Sequence, residues 1–252
     1  MKKNYALIIS YDGTRLGGFQ KQGNTDNTIQ KMLEDTFSNI TGENIEVIAS
    51  GRTDAGTHAY GQVINFKTSS NLPKNDILKL ANESLPNSIV CKEINEVDLR
   101  FHSRYNAASK KYLYKITNAP VNNPFMRKYA YFYDGHIDIQ KMIAASNFLI
   151  GEHDFSAFSS NKKMKKSSVR VIYSIKIEKV HEEVTIEIEA NGFLYNMARI
   201  ITGTLLEVGT GKFAVSQIEK ILASKKRSEA GITLPPHGLY LLEVKYNEKE
   251  GM

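Results

Sequence analysis

The run Gly51-Arg52-Thr53-Asp54-Ala55-Gly56-Thr57-His58 sets an arginine and a carboxylate between two glycines, with a histidine two residues after the second. It joins two apolar-patterned segments, 45–49 and 60–66. A hairpin needs only a glycine or an Asn-Gly pair, so this loop holds more chemistry than chain reversal requires. An arginine close to a carboxylate favours the ionised form. An ionised, positioned carboxylate acts as a nucleophile at a sugar or base carbon, or as a general base. Asp54 equally fits a turn aspartate that satisfies backbone N–H groups, and the loop alone leaves both readings open.

Other chemistries find less support. The six histidines (His58, His102, His136, His153, His181 and His237) do not pair at metal-ligand spacing, and Cys91 is the lone cysteine, so no metal site is expected. There is no GxGxxG and no GxxxxGK[ST], hence no nucleotide cofactor is expected, and no G-x-S-x-G elbow. The basic residues are more informative. Lysines and arginines number 33 against 27 acidic residues, a net charge of +6, which tilts the chain toward an anionic partner, with nucleic acid first. Lys162, Lys163, Lys165 and Lys166 form the densest cluster, with Arg170 close behind and no acidic residue interleaved, which favours phosphate contact over a salt-bridged face. Lys110-Lys111 and Lys225-Lys226-Arg227 are smaller groups. Next to the first of these, Tyr112 and Tyr114 stand two apart and so share one face of a strand. That is a core pattern, or a surface on which a nucleobase stacks.

The elements that must position these residues follow from periodicity. Strands are expected over 4–11, 45–49, 60–66 and 88–94, with helices over 27–41 and 75–85. Ile29, Met32, Leu33, Phe37 and Ile40 recur at helical spacing, Asn27 with Gln30 resembles a capping box, and Gly42 is a stop. The order β-α-β-β-α-β then repeats in pattern, without sequence identity. Strands are expected over 105–117, 169–179, 184–190 and 238–246, and helices over 139–150, 193–208 and 215–222. The expected fold is α+β: two tandem ferredoxin-like split-βαβ halves, each an antiparallel sheet with helices on one face. The polar segment 95–104 divides them, giving an N-terminal half 1–100 and a C-terminal half 101–252. No Gly/Ser linker separates the halves. The apolar start of the chain is too short for a signal-peptide core, and nothing approaches the roughly 20 apolar residues of a membrane span. A single cysteine fits a reducing cytoplasm.

The loop residues Gly51-Arg52-Thr53-Asp54-Ala55-Gly56-Thr57-His58-Ala59 resemble the G-R-T-D-x-G-V-H-A signature of the TruA family of tRNA pseudouridine synthases. Tyr11-Asp12-Gly13-Thr14, Arg104-Tyr105-Asn106-Ala107 through Lys111-Tyr112-Leu113-Tyr114, the block 151–158, Phe193 to Arg199, and 230–241 are similar to further family blocks in the same order. The resemblance implies isomerisation of uridine to pseudouridine in RNA without cofactor or metal, and two halves related by pseudo-two-fold symmetry. It also implies a homodimer that shares its RNA across subunits. By position, Asp54 is the nucleophile, Tyr112 packs on the target base, Arg199 pairs with Asp54, Arg52 guides the RNA or the flipped base, and Leu239 walls the pocket. The usual targets are tRNA positions 38 to 40. Some residues depart from the pattern. Leu16-Gly17-Gly18-Phe19-Gln20 stands where the family has F-H-G-W-Q, Thr57 replaces a valine, Asn196 a common histidine, Ala198 a valine, and Leu234 a common alanine. These changes surround the chemistry and suggest a divergent paralogue with an altered RNA target. The alternatives are another structured RNA such as ribosomal RNA, or a non-catalytic RNA-binding protein.

Overall fold

The computed structural model describes residues 1–161 and 167–247. The lysines Lys162, Lys163, Lys165 and Lys166 lie outside the described residues. The chain divides into two compact units: Met1–Ala108 together with Tyr240–Met252, and Ser109–Leu239. Residues 240–247 therefore group with the beginning of the chain rather than with the stretch that precedes them.

In the first unit, β1 (Lys3–Tyr11), α1 (Ile29–Thr41), β2 (Ile48–Ala49), β3 (His58–Thr68), α2 (Lys74–Ser84) and β4 (Ile89–Val97) follow the expected split-βαβ order. β1 is antiparallel to both β4 and β3, and β2 is antiparallel to β3. Beside β3, a later strand of residues Leu239–Tyr246 runs parallel, with Tyr240 opposite His58 and Leu241 opposite Ala59. The helices bury the residues that periodicity selects: Ile29, Leu33 and Phe37 on α1, and Ile77 and Ala81 on α2. The Phe37 ring stacks on Phe66 at 4.4 Å, which joins helix and sheet. α1 ends as expected, with Gly42 at φ 71 and its N–H donated to Ser38 O. Its start does not. Thr28 is the N-cap and makes no side-chain capping bond, while Asn27 donates to Arg15 O instead. The polar segment after β4 is tied into this unit by buried asparagines. The Asn4 Nδ2 donates to Asp98 O and Phe101 O, and the Ser103 N–H donates to Asn65 Oδ1.

In the second unit, β5 (Ala107–Asn118), β6 (Tyr131–Tyr133), α3 (Ile139–Ser146), β7 (Gly151–Asp154), β8 (Val169–Val180), β9 (Glu183–Ala190), α4 (Met197–Gly209) and α5 (Gln217–Ser224) occur in that order, and the strand 239–246 is β10. β9 is antiparallel to both β5 and β8, and β7 to β8; β6 pairs with β5 in parallel. β9 shows clean alternation, with Val184, Ile186, Ile188 and Ala190 buried. α3 packs on β8 and on α4. The fold is thus α+β with mostly antiparallel pairing. Among the described residues no helix is long and apolar enough to cross a membrane.

Candidate functional site

The loop 51–57 leaves β2 and enters β3 under several constraints. Asp54 to Thr57 closes a turn in which the Thr57 N–H donates to Asp54 O at 3.1 Å, and Gly56 takes φ 79, a conformation that an L side chain resists. At its entry, Ser50 Oγ donates to Gln62 Oε1 at 2.6 Å and Gln62 Nε2 donates to Gly51 O at 2.8 Å. From below, the Tyr11 and Thr53 hydroxyls bond at 2.8 Å, and burial pushes the Tyr11 phenol up to about 12. Asp54 itself is half-buried, and Arg52 in the same loop is exposed.

A second segment, 12–19, packs directly on this loop. The Phe19 N–H donates to Thr53 O at 3.0 Å. A Cβ on Gly13 would sit 2.0 Å from Thr57 O, and one on Gly18, whose φ is 95, would sit 2.9 Å from Thr53 O and 3.0 Å from Ala55 N. Only glycine permits backbone to meet backbone there. Leu16 and Phe19, which depart from the family pattern, are buried, and the Phe19 ring lies 6.4 Å from that of Tyr11. His58, at the loop's exit, is 2% exposed; its Nδ1 accepts the Gly13 N–H at 3.2 Å and is as far from Asp12 Oδ1. Its ring stacks on Tyr240 at 4.7 Å. Sequence reasoning gave Gly13, Gly18 and Tyr240 no role. The glycines of the 12–26 loop are the available signal for the first two; Tyr240 falls in the family-like block 230–241 but has no chemistry-bearing neighbour to single it out.

The remaining predicted residues lie in or border the second unit. Every residue of α4 is buried except Arg199, which stands in its first turn. Its Nε donates to Leu234 O at 2.6 Å and an Nη to Asn196 Oδ1 at 2.8 Å. Asn196, the helix N-cap, adopts φ 63, a left-handed conformation that asparagine tolerates, and its Nδ2 donates to Ser160 Oγ. The expected helix over 193–208 therefore begins only at Met197, and Phe193 is left free of it to meet the Tyr112 ring edge-on at 4.7 Å. Tyr112 and Tyr114 are both buried, but they differ: the Tyr114 hydroxyl donates to Pro235 O, which makes it a core residue. Leu239 is 7% exposed at the start of β10. Lys111 lies 3.7 Å from the Glu189 carboxylate, so its charge is engaged within the sheet, and Lys110 precedes it on the same strand. Among the described residues no His, Cys, Asp and Glu side chains gather as a metal-ligand set.

These features belong to a chain with many relatives. A family model described as tRNA pseudouridine synthase matches residues 7–106 and 145–247. A protein named tRNA pseudouridine synthase A 2 from Bacillus anthracis is 44% identical over 243 residues, covering 96% of this chain and 99% of that one. The tRNA pseudouridine synthase A of Bacillus sp. (strain KSM-64) is 46% identical over the same share of each chain. That of Thermoanaerobacter sp. (strain X514) is 43% identical, covering 97% of this chain and 100% of that one.

Proposed function

Because this chain belongs to the tRNA pseudouridine synthase family, we propose that it is an isomerase converting uridine to pseudouridine in tRNA, with Asp54 as the nucleophile. The supporting observation is the bracing of the Asp54 loop by Gly13, Gly18, Tyr11 and Gln62, which fixes a carboxylate-bearing turn from several directions. Such pre-organisation is what a positioned nucleophile needs and what a turn alone does not. The reaction breaks the bond between ribose C1′ and base N1, forms one between C1′ and C5, and loses the C5 proton while N1 takes one up. Atoms and electrons balance within the nucleotide, so the chemistry calls for no redox or group-transfer cofactor. A uridine in a stem must first leave its stack. Tyr112 is proposed to pack on the flipped base, Arg199 and Arg52 to hold substrate, and Leu239 to line its pocket. The homodimer implied by the family is part of this proposal, and light scattering of the purified protein tests it.

The burial of Leu16 and Phe19 bears on the target. Their departures from the family pattern are changes in packing beneath the loop, not in a surface offered to RNA. This favours tRNA positions 38 to 40 over an altered target. Mapping pseudouridines with and without the gene tests that reading; loss at other positions alone, or in ribosomal RNA, overturns it. The chemistry is tested by tritium release from 5-labelled uridine in tRNA. Asp54→Asn should abolish release and leave RNA binding within about twofold, because the amide keeps the shape but is a far poorer nucleophile. Retained release by that variant would sink the assignment of Asp54.

A further inference from the structure

We propose that Tyr60 is a stacking platform for a nucleobase of the substrate RNA. The inference rests on the RNA-modifying reading above and adds a binding residue to it.

β1 and β3 pair regularly up to Ile9 opposite Gln62 and then resume at Tyr11 opposite Ala59. Two residues of β3, Tyr60 and Gly61, therefore stand against the single residue Ser10, which is a β-bulge. Side chains engage the Tyr60 carbonyl at this break: Ser10 Oγ donates to it at 2.6 Å and Lys92 Nζ at 2.8 Å. A Cβ on Gly61 would lie 2.7 Å from Leu242 O, so Gly61 lets β10 approach the bulge closely.

A bulge re-aims a side chain, and here its ring finds a ladder. The Tyr60 ring is stacked on Tyr240 at 5.0 Å with an interplanar angle of 8°, and Tyr240 is stacked on His58 at 4.7 Å and 22°. The inner two rings are buried, at 2% for His58 and 5% for Tyr240, while Tyr60 is 43% exposed. A tyrosine that ended such a ladder for packing alone would be expected to bury its ring. Tyr60 is instead left open to solvent as a residue, with the Lys92 ammonium anchored at its backbone and a net charge of +6 on the chain. A flat π-surface beside a cation fits a base and its phosphate, and base–aromatic stacking is tolerant of sequence. The ladder runs back to His58, the exit residue of the Asp54 loop, so a base seated on Tyr60 would be held by the strand that carries that loop's exit.

The test is equilibrium binding of an unmodified tRNA transcript to the full chain, with tritium release measured in parallel. Tyr60→Ala should weaken binding roughly tenfold and raise KM with kcat nearly unchanged, whereas Tyr60→Phe should stay within about twofold of the parent. An unchanged thermal midpoint would show that Tyr60→Ala leaves the fold intact. Binding that ignores residue 60, or a phenylalanine variant as weak as the alanine, overturns the platform. Because binding and turnover are read separately, an active parent enzyme with indifferent residue 60 sinks only the platform. An inactive parent with residue-60-dependent binding sinks the isomerase reading and supports the platform.

Discussion

Thr57 shows how a single atom separates this chain from the family pattern. Its Oγ1 is buried and, among the described residues, has no hydrogen-bond partner. An unsatisfied buried hydroxyl costs about 1–3 kcal/mol. Thr57→Val, which installs the residue usual in the family at nearly the same volume, should raise unfolding free energy by about 1 kcal/mol in urea titration. Tritium release should be unchanged, because neither Asp54 nor its bracing contacts are altered. A loss of stability would mean that the hydroxyl has a role in the fold. At this scale the loop was legible in the sequence because Arg52, Asp54 and His58 stand within seven residues. The roles around it were not. Asn196 reads as a loss when set against a histidine, yet its short side chain both accepts from Arg199 and suits φ 63. Lys111 reads as a cation with no acidic neighbour until Glu189, distant in sequence, is placed beside it.

At the scale of elements, periodicity identified the long helices and strands and missed what depends on partners. The strand expected over 45–49 shrinks to Ile48–Ala49 because α1 takes its backbone groups: Ser38 Oγ accepts the Ile45 N–H, Glu34 Oε1 accepts the Val47 N–H, and Gln30 Nε2 donates to Val47 O. Glu34 and Gln30 look like ordinary helix surface in the sequence. β6 and β7, of 3 and 4 residues, carry too little pattern of their own and are defined by the strands they join. β1 offers an element-level test. It delivers Tyr11 into the core, where burial raises the phenol from 10.0 to about 12. The unfolded chain then releases this proton at lower pH than the folded one, so stability falls as pH rises from about 10 toward 12. Tyr11→Phe should remove up to about 1.4 kcal/mol per pH unit from that slope, seen in urea titrations between pH 9 and 11. Cys91, also raised to about 12 by burial, contributes a similar decline beginning nearer pH 9 and remains in the variant. An unaltered slope would show that Tyr11 ionises alike in both states.

For the molecule as a whole, charge and connectivity matter most. The excess of 33 basic over 27 acidic residues supplies affinity that is blind to sequence and sensitive to salt. Replacing Lys162, Lys163, Lys165 and Lys166 by glutamine should lower tRNA affinity at low salt and flatten the plot of log K against log salt by about 1 for each phosphate that is no longer neutralised. The kcat at saturating RNA should hold. An unchanged slope would remove these lysines from the interface. Connectivity has a consequence in time rather than in energy. Tyr240, the middle ring of the ladder behind the Asp54 loop, belongs to the first unit, yet the 131 residues Ser109–Leu239 are synthesised before it. A chain emerging from the ribosome at about 5–20 residues per second carries the Asp54 loop for about 10–40 s before β10 exists to support it. The part of the protein proposed to do chemistry is thus begun early and finished late, because the strand that backs its loop lies far along the chain.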